Sequence, residues 1–402
     1  MTDVVRSKEA AESTLRGRAS RKSLTIYALP RFSRMAPSSR VRFYQFLSHF
    51  EREQYRFEVN FLLDDLYLSR LYSTGGFSKG RLLLAYIRRF RALARAVARG
   101  GPIWVEKELF PYLPALAEYC LALLAVPYVV DYDDPIFHTY DLHRNPLVRF
   151  LLSRKIDQVM RHAYSVVVGN DYLADRALRA GATRVHVVPT LIQCSRYIVA
   201  PIFRTDVFRI GWIGSPTTAK YLREAHLALR KLSEYSDVDV HLIGSGEIEL
   251  EGVRVKIIEW REDTEVENLA ELDAGIAPLS DGPWERGKCG YKILQYMAAR
   301  LPVVASPVGE ALNIVQDGIT GYFAATPGEF LARLTELKRD PALRQRMGEA
   351  GRIRVEQHFS MEARAHEVRE ILCEAVVLSR NRTRSPVAAD LPMATRREAK
   401  RR

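Results

Sequence analysis

Long apolar runs are missing from this 402-residue chain. A membrane-spanning helix needs roughly 18 to 20 apolar residues in succession. The longest run here, Leu121 to Val130, is short and interrupted by Pro127. The N-terminus is polar and charged where a secretory leader would carry an apolar core, so the chain reads as non-secreted, with the cytoplasm as its expected location. Cysteine is scarce as well. Cys120, Cys194, Cys289 and Cys373 lie far apart with no Cys-x-x-Cys pair, which argues for reduced thiols and against a disulfide framework or a thiolate metal site. No early strand leads into Gly-x-Gly-x-x-Gly; LIGSG, Leu242 to Gly246, supplies only the first glycine pair, and in the wrong half of the chain. That disfavours a dinucleotide-dependent oxidoreductase or epimerase.

What is present is an ordinary globular composition, 47% hydrophobic and 27% charged, on a chain long enough for two domains. The formal charge of +12 is concentrated at the ends: residues 380–402 hold eight Lys/Arg against two acids, and residues 1–22 hold six against three. Both end segments, 1–22 and 379–402, read as disordered, because they mix charge with Ser, Pro and Ala without an apolar period. Basicity of this kind argues for solubility or contact with an anionic membrane surface, and no nucleic-acid partner is expected.

Between the tails, short β-type runs alternate with amphipathic helical stretches, the pattern of parallel sheets with crossover helices. Strands are expected over 23–30, 57–64, 102–107, 127–132, 165–169 and 184–189. The period lapses after Thr190 and restarts at Phe208, giving an N-terminal domain over 23–200 and a C-terminal domain over 201–378. In the latter, strands are expected over 208–213, 239–244, 253–259, 274–278 and 302–306, with helices over 218–232, 264–271 and 290–299. Three further helices over 327–378 are separated at Pro341 and near Phe359, and the last group is free to pack back on the first half. The fold class is α/β, two Rossmann-like doubly wound domains facing a central cleft, and ligands of such sheets bind beyond the carboxyl ends of the strands.

Asp273 to Gly309, DAGIAPLSDGPWERGKCGYKILQYMAARLPVVASPVG, reads as strand, glycine-containing loop, helix and buried strand. Gly287 and Gly290 then stand at a helix start, where free N–H groups and the helix dipole favour a phosphate. Lys288 and Lys292 place positive charge beside the same turn; as an alternative, the loop is simply capped and its lysines solvated. The stretch resembles glycosyltransferase family 4, whose members carry Glu, seven residues, then Glu at this point. The match is to a subgroup with a PW-x-RGKCGYK-x-LQYMA motif, and both glutamates are replaced, by Gly287 and by Gln295. The resemblance runs over residues 23–375 and is strongest over 208–325. It implies a GT-B fold and transfer of a sugar, with retention, from a nucleoside diphosphate sugar to a hydroxyl acceptor that is a glycan, a lipid-linked molecule or a small molecule. No cofactor and no metal are expected. Gln295 still suits a ribose diol, and Glu285, Lys288 or backbone near Gly287 take the sugar contact. A catalytically silent nucleotide-sugar-binding protein is the alternative that the lost glutamates favour.

Other candidates extend the site. RIGWIGSPTTAKYL, from Arg209, is similar to the first strand and turn of the C-terminal domain in that subgroup, with Gly214 freeing the turn and Ser215 and Thr217 or Thr218 capping a second phosphate-facing helix. Lys220 is the only nearby cation. Tyr291 joins the donor side, and Trp260, ending VKIIEW, resembles the position that cradles the base, or is a core tryptophan. VVDYDDPIF puts Asp131, Asp133 and Asp134 at a strand end with His138 after them, suited to a cation, a sugar hydroxyl or a proton in transfer, or else to capping the turn before Pro135 with His138 a satisfied or surface histidine. Ser38, Ser39 and Arg40 follow the first strand and can meet phosphate or an anionic acceptor, or form a plain cap. Glu106, Lys107 and Glu108 lie at the same cleft edge. Arg81 to Arg99 is a basic amphipathic helix, suited to an anionic bilayer or to covering a sheet.

Overall fold

A computed structural model describes residues 25–51, 56–73, 79–201, 203 and 206–384. The terminal segment 1–22 and residues 385–402 lie outside the described residues. The first lobe is built on a six-stranded parallel sheet of β1 (Thr25–Leu29), β2 (Arg56–Val59), β3 (Ile103–Glu106), β4 (Tyr128–Tyr132), β5 (Ser165–Val168) and β6 (Val185–Val187), in the order β2-β1-β3-β4-β5-β6. Every residue of β3, β4 and β5 is buried. Strands buried along their whole length are what a parallel sheet covered on both faces requires. The second lobe repeats the plan with β7 (Phe208–Ile213), β8 (Val238–Ile243), β9 (Val255–Ile258), β10 (Ala274–Ala277), β11 (Val303–Ala305) and β12 (Gly321–Phe323), ordered β12-β11-β10-β7-β8-β9.

Five helices position the functional groups. In chain order they are α1 (Lys79–Arg99), α2 (Asp171–Ala180), α3 (Tyr291–Ala298), α4 (Pro341–His358) and α5 (Met361–Arg384). The ends of α2 follow from its sequence: the Asn170 side chain accepts from the Leu173 N–H at 3.0 Å, and Gly181 closes the helix at φ 88°. These are the residue types that satisfy orphan amides and adopt the left-handed conformation at least cost. Asp340 caps α4 in the same way, with Pro341 at the first position.

The final helix crosses between the lobes. Ala365, Val368, Ile371, Leu372 and Ala375 of α5 are buried with Ile26, Phe43, Trp104 and Val167 in one cluster of the first lobe. The expected start of a disordered tail at 379 falls inside α5, which continues to Arg384, because the amphipathic period that buries Ala375 carries on past the expected boundary.

Two further expectations are corrected. The single helix expected over 218–232 is a 3-10 helix, Ala219–Ala225, followed by an α-helix from His226 to Leu232. The strand expected over 57–64 ends at Val59. β12 had no counterpart among the expected strands, since three residues, Gly-Tyr-Phe, are too short for alternation to register.

Candidate functional site

Each sheet has one place where neighbouring strands continue in opposite directions, and there the following loops splay apart to leave a crevice. In the first lobe that place lies between β1 and β3. The loop after β1 is fixed to the end of β3 through one carboxylate: Glu106 accepts from the Arg31 N–H at 2.7 Å and from Ser39 Oγ at 2.6 Å, with Ser38 Oγ 3.1 Å away. Glu106 is 1% exposed, so its charge is held by these donors in place of water.

From Ser38 the network runs across the cleft. Ser38 Oγ donates to Asp133 at 2.5 Å; Lys107 Nζ stands 2.9 Å from Asp133 and 3.2 Å from Asp134; and Lys288 Nζ of the second lobe stands 3.7 Å from Asp134. Lys107 holds a left-handed backbone, φ 66°, which is costly for a lysine and aims its ammonium at both carboxylates. Burial opposes its charge, but Asp133, Asp134 and Glu106 outweigh this and raise its pKa. Burial would raise Asp133 as well, yet Lys107 and the Ser38 hydroxyl win and hold it below the usual carboxylate range. Beneath them Arg42 binds Asp131 through two bonds, 2.7 and 3.0 Å, and caps the Val188 and Pro189 carbonyls at 2.9 and 3.0 Å. Both are 1% exposed. Burial pushes Asp131 up to about 6 against the pull of Arg42.

On the second lobe, α3 begins at Gly290, in the left-handed conformation at φ 66°, with no side chain capping the helix. The Ile293 N–H already donates to the Gly290 carbonyl at 2.9 Å, and the Tyr291 and Lys292 amides are the ones left without a side-chain cap at a helix start, where an anion is favoured. A Cβ at Gly290 would come within 2.6 Å of Ile314, so the turn also needs glycine for space. Lys292 lies in that first turn, its Nζ 4.3 Å from the Trp212 ring centre and without a carboxylate partner among the described residues. It keeps some solvent contact, but the density of atoms around it, with Lys288 nearby, brings its pKa down to about 7. An ammonium so destabilised gains most from an incoming diphosphate. Gln295, one turn on, is 5% exposed.

Gly287 serves a different end from phosphate approach: a Cβ there would come within 2.6 Å of Pro135 in the other lobe. Its carbonyl accepts from Asn170 Nδ2 at 3.0 Å, while Cys289 packs into the first lobe's core against Gly169. The loop before α3 is thus the hinge contact between lobes. Asn170 serves both the cap of α2 and this contact; Asn170→Ala is expected to lower the unfolding free energy by about 1–2 kcal/mol, checked by denaturant titration.

The turn after β7 departs from expectation. Thr218 Oγ1 accepts from the Ser215 N–H at 3.1 Å and Ser215 Oγ meets Thr217 Oγ1 at 3.0 Å, but these close a turn into a 3-10 helix. The strong dipole of a second α-helix start is absent there. Gly214 is required because a Cβ would lie 2.4 Å from the Trp212 ring. Beyond it a cavity of about 650 Å³ opens at the ends of β7 and β8, lined by Pro216, Lys220, Arg223, Ser245 and Glu247 among others. A second cavity, about 320 Å³, lies between the lobes against Asn170, Tyr172, Arg286 and Glu310. Burial pushes Glu310 up to about 7.

The expected residues thus divide. Ser38, Ser39, Asp133, Asp134 and Lys288 join one network, while Gly290, Lys292 and Gln295 belong to α3. His138 turns away from it, bonded to Asp141 at 2.8 Å and Tyr172 at 2.9 Å. Glu285 accepts from the Tyr221 hydroxyl. Trp260 does not offer both faces to a base: its indole N–H donates to Glu265 at 2.8 Å, and Arg40 lies 4.2 Å over its ring. Glu265 also accepts from Tyr197 at 2.5 Å, below Tyr291, whose own hydroxyl pKa burial raises. The sequence reading overlooked Asn170 and Trp212. Asn170 was detectable as an Asn before a helical run.

Comparisons bear on the second lobe first. Residues 204–340 match the family model for glycosyl transferases group 1. Alpha-maltose-1-phosphate synthase of Mycobacterium tuberculosis is 42% identical over 86 residues, 19% of this chain and 22% of that protein, so the chain spans about a fifth of this relative's length. Sucrose-phosphate synthase from Thermosynechococcus elongatus superposes with TM-score 0.64 at 13% identity, over 88% of this chain and 99% of that one. Anabaena HepE, solved in complex with UDP-glucose, gives 0.63 at 17% identity, over 87% of this chain and all (100%) of that one. The architecture is the GT-B fold.

Proposed function

We propose that this protein is a glycosyltransferase that takes a sugar from a nucleoside diphosphate donor and passes it, with retention, to a hydroxyl acceptor held by the first lobe. The observation that carries the reading is the start of α3, left without a side-chain cap and with Lys292 lacking a carboxylate partner among the described residues, just after Lys288, which reaches Asp134 of the Ser38–Asp133–Lys107 network across the cleft. The nucleoside occupies the cavity beside Lys220 and Ser245, and the diphosphate crosses the Gly214 turn to reach Lys292 and Lys288. Positive charge fixed at the leaving diphosphate stabilises the developing negative charge in a site where water is displaced, the main catalytic contribution. The acceptor hydroxyl, oriented by Asp133 and Ser38, attacks the sugar from the side of the departing phosphate as the sugar–phosphate bond breaks, and its proton passes to the departing diphosphate oxygen. Lys107 keeps Asp133 ionised, which suits hydrogen bonding to a sugar hydroxyl better than storing a proton.

Several observations support the reading: the family match over the second lobe, the GT-B fold and the UDP-glucose complex of the structurally similar HepE. A second reading, binding without turnover, is favoured by Gly287 and Gln295 standing where the resembling family has glutamates. Thermal shift with UDP, GDP, dTDP and ADP sugars, run beside donor hydrolysis and transfer, tests both. Selective stabilisation with turnover is the expected result, since a ligand that binds only the native state raises its melting temperature. Stabilisation without turnover on any acceptor favours the second reading, and no stabilisation by any of them removes both.

A further inference from the structure

We infer that the first lobe carries a docking face for an anionic lipid bilayer, formed by three segments that present leucines and aromatics outward inside a field of arginines. The inference stands independently of the sugar-transfer reading.

The segment from Pro111 to Pro127 contains a single charged residue, Glu118. That residue is turned inward, 1% exposed, accepting from the Leu109 N–H at 2.9 Å, while Leu116, Tyr119, Leu123 and Leu124 are exposed by 66, 46, 62 and 56%. A helix that buries its carboxylate and exposes its leucines is inverted relative to a water-facing helix. Beside it, α1 shows Leu83, Leu84 and Phe90 outward, each more than 60% exposed. Its 21 residues include seven Lys/Arg and no acid, and Arg81 and Arg91 are exposed without an ion-pair partner among the described residues. The third segment, Pro146–Leu152, exposes Phe150 at 84% and Leu151 at 64%; Arg144, Arg149 and Arg154 surround them, and no acid occurs from Leu142 to Ile156.

The segments form one surface. Tyr86 of α1 donates to the Pro111 carbonyl, its ring 5.6 Å from Phe110, and Tyr112 packs 6.3 Å from His143. The surface also meets the cleft, because the chain enters it directly from Glu108, which pairs with Arg31 and Lys155 at the end of β3. Arg382 of α5 donates to the Leu124 carbonyl, so the end of α5 lies at the rim of the same face. Apolar groups of this number amid cations without acids match a bilayer interface with anionic headgroups. A second protein copy would place these arginines against each other. No described helix is long and apolar enough to cross a membrane, so the contact is interfacial.

Co-sedimentation of the full chain with phosphatidylcholine vesicles, with and without phosphatidylglycerol, tests this. Binding is expected only with phosphatidylglycerol, weakening as salt rises. Arg81→Glu/Arg91→Glu lowers the partition coefficient by about tenfold or more, and Leu84→Asp/Leu123→Asp/Phe150→Asp abolishes it while leaving the thermal melt unchanged. Binding by the triple-aspartate variant equal to that of the unsubstituted chain would assign it to the basic tail and overturn the inference. So would absence of vesicle binding, or a self-association that the triple variant removes.

Discussion

Lys292→Met is expected to weaken binding of the nucleotide sugar that stabilises the protein by about 10- to 100-fold at neutral pH, the range of one lost charge-assisted hydrogen bond. The ammonium is surrounded by the Trp212 ring and the first turn of α3, with no carboxylate partner among the described residues. Desolvation and Lys288 bring its pKa to about 7. A bound diphosphate favours the charged form and raises that pKa, so binding takes up a proton above about pH 7. Affinity of the unsubstituted protein should therefore fall as pH rises from about 7 to 9, by up to about tenfold per unit. Lys292→Arg, charged throughout, should remove the pH dependence while keeping the affinity within a few-fold. Lys288→Ala has a second effect, since Lys288 also faces Asp134 at 3.7 Å. It is expected to weaken binding less than Lys292→Met. Isothermal titration across this pH range checks all three variants.

Arg42→Met should cost about 3–5 kcal/mol of unfolding free energy at neutral pH, because it leaves the Asp131 carboxylate buried without its partner. The sign of the pH dependence follows from Asp131. Its folded pKa is already raised, and without Arg42 it rises further, so the folded variant binds more protons than the unfolded chain above the unfolded carboxylate value. The deficit relative to the unsubstituted protein should then grow as pH rises above about 6 and shrink as pH falls back to about 6, below which Asp131 is protonated in both folded proteins and the difference levels off. Arg42→Met combined with Asp131→Leu should recover part of the loss, since removing both charges leaves neither unpaired. The Val188 and Pro189 carbonyls would still lack their donor, which keeps the recovery partial. Urea titration at several pH values measures each term.

How far the residues announced this arrangement varies with the kind of interaction. The strands were legible because parallel strands buried on both faces read as plain apolar runs, as Val129-Val130 and Val166–Val168 do. Gly290 and Lys292 were legible because a glycine before a helical period has few roles. The pairing of Lys107 with Asp133 and Asp134 was visible only as charges clustered at two strand ends; their meeting depends on the left-handed turn at Lys107, for which lysine carries no signal. Arg40 over Trp260 was hidden altogether, since it joins residues 220 positions apart across the cleft. The split of the helix after Thr218 was missed for the opposite reason. Its apolar period and its Ser-Thr cap were both present, and only the packing of Gly214 on Trp212 and Thr218 decides that the turn tightens into a 3-10 helix.

A crystal structure of the protein with its stabilising nucleotide sugar bound tests the central claim most directly. The expected result is a diphosphate against the Tyr291 and Lys292 amides of α3 and the Lys292 ammonium, with the nucleoside reaching Lys220 and Ser245 and the sugar turned towards Asp133 and Ser38. A diphosphate bound away from α3, with Lys292 still resting on Trp212, would contradict it.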